Sequence, residues 1–170
     1  NPTDVAQTIV YTVTPTYEGA GTPPNCVGAT FEVTVTVNPK PTIADKTPAS
    51  ICSGTTLTLT PATGAPVPDI VPVGTTYTWT VFTPNVNVPA AAGGGPATSF
   101  TTGVLINTSN TPQTVVYEVE PTGPVGLGAC VGAKFKITVV VDPLPTAAAN
   151  NKTICSATPT ALTVTNPNMV

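Results

Sequence analysis

The residues equipped for chemistry are four cysteines, Cys26, Cys52, Cys130 and Cys155, a carboxylate pair, Glu118 and Glu120, and a glycine-rich run at residues 90–100. They stand in a chain of 170 residues with no histidine, no arginine and five lysines. The commonest general base, the commonest metal ligand and the planar phosphate fork are therefore missing. No CxxC spacing occurs and no histidine accompanies the thiols, so zinc is not indicated and structural disulfides are the expected use of the cysteines. Glu118 and Glu120 lie two apart, on one face of any strand, a spacing at which carboxylates can act as an acid/base pair. The glycine-rich "AAAGGGPATSF" is followed by no Lys-Ser/Thr and opens no helix, so it fails as a phosphate cradle. It reads as an adaptable loop tip, the place for a ligand if the protein binds one. The acidic residues are dispersed, without the aspartate cluster of a calcium loop. Asn107 and Asn151 begin N-x-S/T triplets, which matter only in a host that glycosylates them. No enzyme activity, cofactor or metal is expected.

Composition narrows the partners. Five scattered lysines and a net charge of −3 cannot form the basic stripe that nucleic acid requires. No apolar run approaches the roughly 20 residues of a membrane span. No basic and apolar leader is present, so a secretion signal is expected upstream of this sequence. Only 8% of residues are charged while 41% are hydrophobic. A disordered tail would need more charge and fewer β-branched residues, so the composition fits a β-rich extracellular module.

The elements that must position these residues are written twice. "NCVGATFEVTVTVNPKPT" (25–42) returns as "ACVGAKFKITVVVDPLPT" (129–146), "QTIVYTVTPT" from Gln7 returns as "QTVVYEVEPT" from Gln113, and "ICSGT" around Cys52 as "ICSAT" around Cys155. The offset drifts from 106 through 104 to 103, so the copies differ by small loop deletions. A period near a hundred residues is that of one all-β domain per repeat. One complete repeat is expected at 40–142, with 1–39 the C-terminal part of a preceding repeat and 143–170 the N-terminal part of a following one. A lone hairpin is marginal in water, which makes the sequence a window on a longer tandem array.

Strands follow from period-2 alternation. Phe31, Val33, Val35 and Val37 share one face, as do Phe135, Ile137, Val139 and Val141, and as do Val115, Tyr117 and Val119. Further strands are expected at "LTLTP" (Leu57, Leu59), "TYTWTVF" (Tyr77, Trp79, Val81) and "GVLINT" (Val104, with Ile106 or Leu105), with a short first strand near Pro41–Ala44. About seven strands in a hundred residues is the size of an antiparallel immunoglobulin-like β-sandwich, and the density of Pro, Gly and Thr argues against helix. Alternation places Trp79 with Tyr77 in the core beside Tyr117 and Phe135, rather than outward as a sugar-stacking platform, and leaves Phe82 facing out or ending its strand. The repeat also bears on Glu118 and Glu120. Thr12 and Thr14 replace them in the first copy, so the pair is expected to be a solvated face opposite Lys134 and Lys136.

The set "YTVTPT", "CVGxxFxVTVTVNPKPT" and "ICSGxxLTLT" resembles the PKD-like and immunoglobulin-like tandem repeats of large Bacteroidota cell-surface proteins. It is most similar to those of gliding-motility adhesins exported by the type IX secretion system. The resemblance covers essentially the whole chain; it is specific for the repeat type and weaker for the parent protein. It implies a sandwich fold, an extracellular location at the cell surface and a structural or adhesive role, and it brings no catalytic residues.

Each repeat carries one "ICS" and one "CVG" cysteine. The simplest connectivity is Cys52 with Cys130, leaving Cys26 and Cys155 to partners outside the sequence. Four cysteines allow three full pairings. An ordinary sandwich would put the two loops at opposite ends, so bridging between neighbouring repeats is the alternative. "NPKP" and "DPLP" are expected to be short, extended, semi-rigid junctions, because proline fixes its own φ and keeps the preceding residue out of helix. Each repeat would add on the order of 35–45 Å to a stiff rod. The partners expected are neighbouring repeats of the same chain, and surface polysaccharide or other cell-surface proteins. The competing readings are an array of carbohydrate-binding modules, for which Trp79 and Tyr17 would have to be exposed, and the stalk of a secreted multidomain enzyme.

Overall fold

The computed structural model describes residues 1–17, 26–64, 69–89 and 91–146. It is an all-β structure of the immunoglobulin-like β-sandwich class. The strands are β1 (Gln7–Val13), β2 (Thr16–Tyr17), β3 (Cys26–Val27), β4 (Phe31–Val37), β5 (Ile51–Cys52), β6 (Thr58–Leu59), β7 (Thr76–Thr83), β8 (Gly94–Ala97), β9 (Phe100–Thr101), β10 (Gln113–Thr122) and β11 (Phe135–Asp142). Among the described residues the helical content is one 3-10 turn, Val125–Leu127. The chain forms two compact units. One gathers Asn1–Ile43, Pro61–Thr76 and Pro121–Ala133, and the other Ala44–Thr60, Tyr77–Glu120 and the residues from Lys134 onward.

The second unit contains the core. Its main sheet has the order β5-β11-β10-β7-β8. β10 and β11 pair antiparallel from Gln113↔Val141 to Val119↔Phe135. Their alternate positions point one way: Val115, Tyr117, Val119, Phe135, Ile137, Val139 and Val141 are all at most 2% exposed. Removing each such side chain from water contributes about 1.5–3 kcal/mol before entropy is counted, which holds the pair in this register and no other. β5 adds parallel to β11, with Val141↔Ile51 and Asp142↔Cys52 in register. β6 and β9 form a separate two-stranded sheet through Thr58↔Thr101 and Leu59↔Phe100. From it, the fully buried Phe100 meets Trp79 at 5.2 Å and Tyr117 at 5.1 Å between ring centroids, both edge-to-face. That arrangement sets the positive ring edge against a negative face. Tyr77 and Phe135 form a second edge-to-face pair at 6.5 Å.

In the first unit β1 and β4 repeat that register, from Gln7↔Val37 to Val13↔Phe31. Here the equivalent apolar face is open: Tyr11 is 53% exposed and Phe31 52%, against 0% for Tyr117 and 2% for Phe135. The same unit holds the stretch after β4, where Thr42 and Ile70 exchange backbone hydrogen bonds of 2.9 and 2.8 Å, and the turn between β10 and β11.

Three expected elements come out differently. "GVLINT" is not a strand: Leu105 is buried and makes a single bridge to Thr55, while Val104 and Ile106 are exposed. The stretch near Pro41–Ala44 also makes isolated bridges, Thr42 to Ile70 and Lys46 to Ile137, because prolines at 39, 41 and 48 deny the backbone donors that a ladder needs. The glycine-rich run is not an open loop tip. Its Gly94–Ala97 is β8, laid antiparallel on β7 through Tyr77↔Ala97 and Trp79↔Gly94.

Candidate functional site

The outward face of the main sheet carries the charged residues. Lys134 Nζ donates to Glu118 Oε1 at 2.8 Å. The hydrogen bond to Glu118, then the charges of Glu118 and Glu120, raise the Lys134 pKa above its ordinary value. Lys136 is directly opposite Glu118 in the ladder, yet its ammonium sits 4.0 Å over the Phe82 ring. Phe82 is half exposed and faces outward, so the cation covers an aromatic surface that would otherwise meet water. Thr78, Thr80, Glu118, Glu120, Lys134 and the edge of Trp79 line a shallow open depression of about 350 Å³. Glu118 is committed to a lysine, and no group of three His, Cys, Asp or Glu residues able to hold a metal ion occurs among the described residues. This face is a polar surface built from threonine and a partly exposed ion pair.

Trp79 is 8% exposed and Tyr77 1%. What covers the indole is the glycine run: a Cβ on Gly94 would lie 2.7 Å from Trp79 Cζ2, and one on Gly95 only 2.2 Å from Tyr77 O. Gly95 also has a φ of +92°, a conformation that side chains disfavour. Gly94 lets the run lie against the indole, and Gly93 and Gly95 let it close on the backbone of β7, so the run serves packing. The signal was present in the sequence as "GGG" close after the only tryptophan, but no local rule pairs the two.

Asn107, the first residue of an N-x-S triplet, is 8% exposed. Its Nδ2 donates to Thr111 O and Val141 O at 2.8 Å each, and its Oδ1 accepts from Ser109 N and Oγ at 2.8 Å. Ser53 Oγ accepts from Asn107 N at 2.9 Å. The amide is a structural tie, with no hydrogen left to offer a glycosylation enzyme in the folded chain. Asn151 and Cys155 lie outside the described residues.

Among the described residues the cysteines form no disulfide. Cys52 is an exposed thiol in β5, in register with Asp142 at the last position of β11. Cys130 is a half-buried thiol in the turn that precedes β11, its Sγ donating to Leu127 O at 3.7 Å. The expected Cys52–Cys130 bridge is therefore not formed. Cys26 is exposed on β3, opposite Tyr17.

The turn holding Cys130 is built around the proline junction. Gly123 N donates to Cys130 O and Gly132 N to Pro121 O, at 2.9 and 2.8 Å. Against this turn lies the chain that leaves β4. A Cβ on Gly132 would fall 2.4 Å from Pro41 O, and one on Gly128 would fall 3.2 Å from Asn38 Nδ2. Pro39 and Pro41 are fully buried. The Asn38–Pro41 stretch is packed inside this unit, and Gly132 is what lets the turn's backbone close on that of Pro41.

Fold and site together define a β-sandwich module of the immunoglobulin-like class. The description "PKD-like domain" matches residues 1–41 and 49–145, and the chain belongs to that family. PKD-like domains are typically extracellular structural modules. No curated protein matches the chain significantly. Among the described residues no helix is long and apolar enough to cross a membrane.

Proposed function

We propose that this chain is a length of a tandem array, with 1–39 closing one repeat, 40–142 forming the next and 143–170 opening a third. The array would extend a cell-surface filament or adhesin whose work is reach and load-bearing. The observation that carries this reading is the joint at Asn38–Pro41. Two buried prolines, with Asn38 meeting Gly128 and Pro41 meeting Gly132, fix the direction in which one repeat enters the next. The open apolar face of β1 and β4 supports it: a face of the same sequence pattern is fully covered on β10 and β11, so the first hairpin is suited to close a sandwich whose other strands precede it. The motifs shared with type IX-exported repeats of Bacteroidota make adhesion or gliding motility the setting in which such a rod would serve, with other surface proteins or polysaccharide as its targets.

The carbohydrate-module alternative needs exposed ring faces. Trp79 is covered, and Tyr17, 71% exposed, is not joined by it into a platform. The test is small-angle scattering of a chain lengthened by one repeat, residues 1–142 followed directly by 39–170. The maximum dimension should grow by about 35–45 Å relative to the 170-residue chain. Growth well below that, or a broad distribution of dimensions, would refute a stiff array. Antibodies against the chain should label unpermeabilised cells of the source bacterium.

A further inference from the structure

We infer that each "ICS" cysteine is bridged to the "CVG" cysteine of the repeat that follows it, so that a disulfide crosses every proline junction. The inference rests on the tandem-array reading above. "NPKP" and "DPLP" are equivalent, which makes Asn38 the counterpart of Asp142. Cys52 stands in register beside Asp142, and Ser53 N donates to Asp142 O at 2.8 Å. In the repeat that ends at β4, the "ICS" cysteine would by the same pairing stand beside Asn38. Asn38 is the residue whose Nδ2 would lie 3.2 Å from a Cβ on Gly128, two positions before Cys130. Neighbouring strands are about 4.8 Å apart, so that cysteine and Cys130 flank the same residue, Asn38, and the joint is where the Cα separation of about 4.4–6.8 Å that a disulfide spans would have to be met. Within one repeat the two thiols are unbridged.

The first copy carries the same receptor. Gly28 meets Pro15 as Gly132 meets Pro121, each Cβ position falling under 3.0 Å from the proline Cγ. Pro15, Thr16, Tyr17, Cys26, Val27 and Gly28 line a hollow of about 380 Å³ there. In the complete repeat the equivalent turn receives Pro41. Cys130 is thus placed where an incoming junction docks, and Cys52 where an outgoing one departs.

Bridge formation converts two thiols to one S–S bond with loss of two protons and two electrons. The electrons pass by thiol–disulfide exchange to a protein disulfide of the oxidising compartment through which the chain is exported, which leaves as a dithiol.

The test is non-reducing peptide mapping of the lengthened chain (1–142 followed by 39–170) after oxidation in a glutathione buffer. Cys52 of the first copy should be linked to Cys130 of the second, with both nearly absent from the alkylated pool. Cys52→Ser in the first copy should return Cys130 of the second to that pool. In the 170-residue chain itself, oxidised as a monomer, Cys52 and Cys130 should both remain alkylatable. A Cys52–Cys130 link inside one repeat, in either chain, overturns the inference. So do free thiols in a lengthened chain that scattering shows to be extended, an outcome that leaves the array reading standing. A lengthened chain that does not grow in dimension removes the array and the staple together.

Discussion

Replacing Tyr117 with phenylalanine should stabilise the protein. Tyr117 lies fully buried on β10, its ring edge-to-face with Phe100, and its hydroxyl has no hydrogen-bond partner among the described residues. An unsatisfied buried hydroxyl costs about 1–3 kcal/mol, part of which is offset by the contacts the oxygen makes, so Tyr117→Phe should gain about 1 kcal/mol at neutral pH. The same burial pushes the phenol pKa up from 10.0 to about 12. Below pH 9 the group is neutral both folded and unfolded, and it contributes no pH dependence. Between pH 10 and 12 the unfolded chain releases the proton while the folded chain keeps it, so the folded state binds more protons and stability falls as pH rises. At pH 11 the wild type should have lost about 1.4 kcal/mol from this residue alone, and the variant nothing. Urea unfolding followed by Trp79 fluorescence at pH 7, 10 and 11 measures both effects. The other ionising groups are common to the two proteins and cancel in the comparison. A variant less stable than wild type at pH 7, or a gap between the two that does not widen from pH 10 to 11, would refute the account of a desolvated, unpartnered phenol.

Other outcomes follow from the same packing. Gly95→Ala places a methyl 2.2 Å from Tyr77 O at a φ of +92°, and should cost about 2–4 kcal/mol in urea unfolding while exposing Trp79 to iodide quenching. Trp79→Ala removes the largest core side chain and should cost about 3–5 kcal/mol in the same assay. Asn107→Ala strips the donors from Thr111 O and Val141 O and should cost about 2–4 kcal/mol, and the native chain offered to an oligosaccharyltransferase after folding should stay unmodified at this site. Gly132→Ala, which meets Pro41 O at 2.4 Å, should leave the core unfolding nearly unchanged but broaden the scattering dimensions of the lengthened chain.

The ladder of β10 and β11, and its earlier twin in β1 and β4, was legible from residue order alone. Period-2 alternation is a property of neighbouring residues, and the repeat confirms each strand by writing it twice. Fold class followed for the same reason, since strand count and spacing are one-dimensional quantities. The absence of a histidine or arginine likewise set the direction of the functional reading before any coordinate was known. Tertiary structure decided the rest. Whether an apolar face is core or open depends on what meets it: Tyr11 and Tyr117 occupy equivalent positions in equivalent ladders, and one is half exposed while the other is sealed under Phe100. Two glycines of the run, Gly94 and Gly95, became part of a strand because a tryptophan across the ladder needed a cover without side chains. Lys136 left the carboxylate opposite it for the ring of Phe82. The cysteines show the same division, for the sequence spaces one of each kind along every repeat, while only the tertiary structure shows that Cys52 lies in β5 beside Asp142 and Cys130 in the turn before β11.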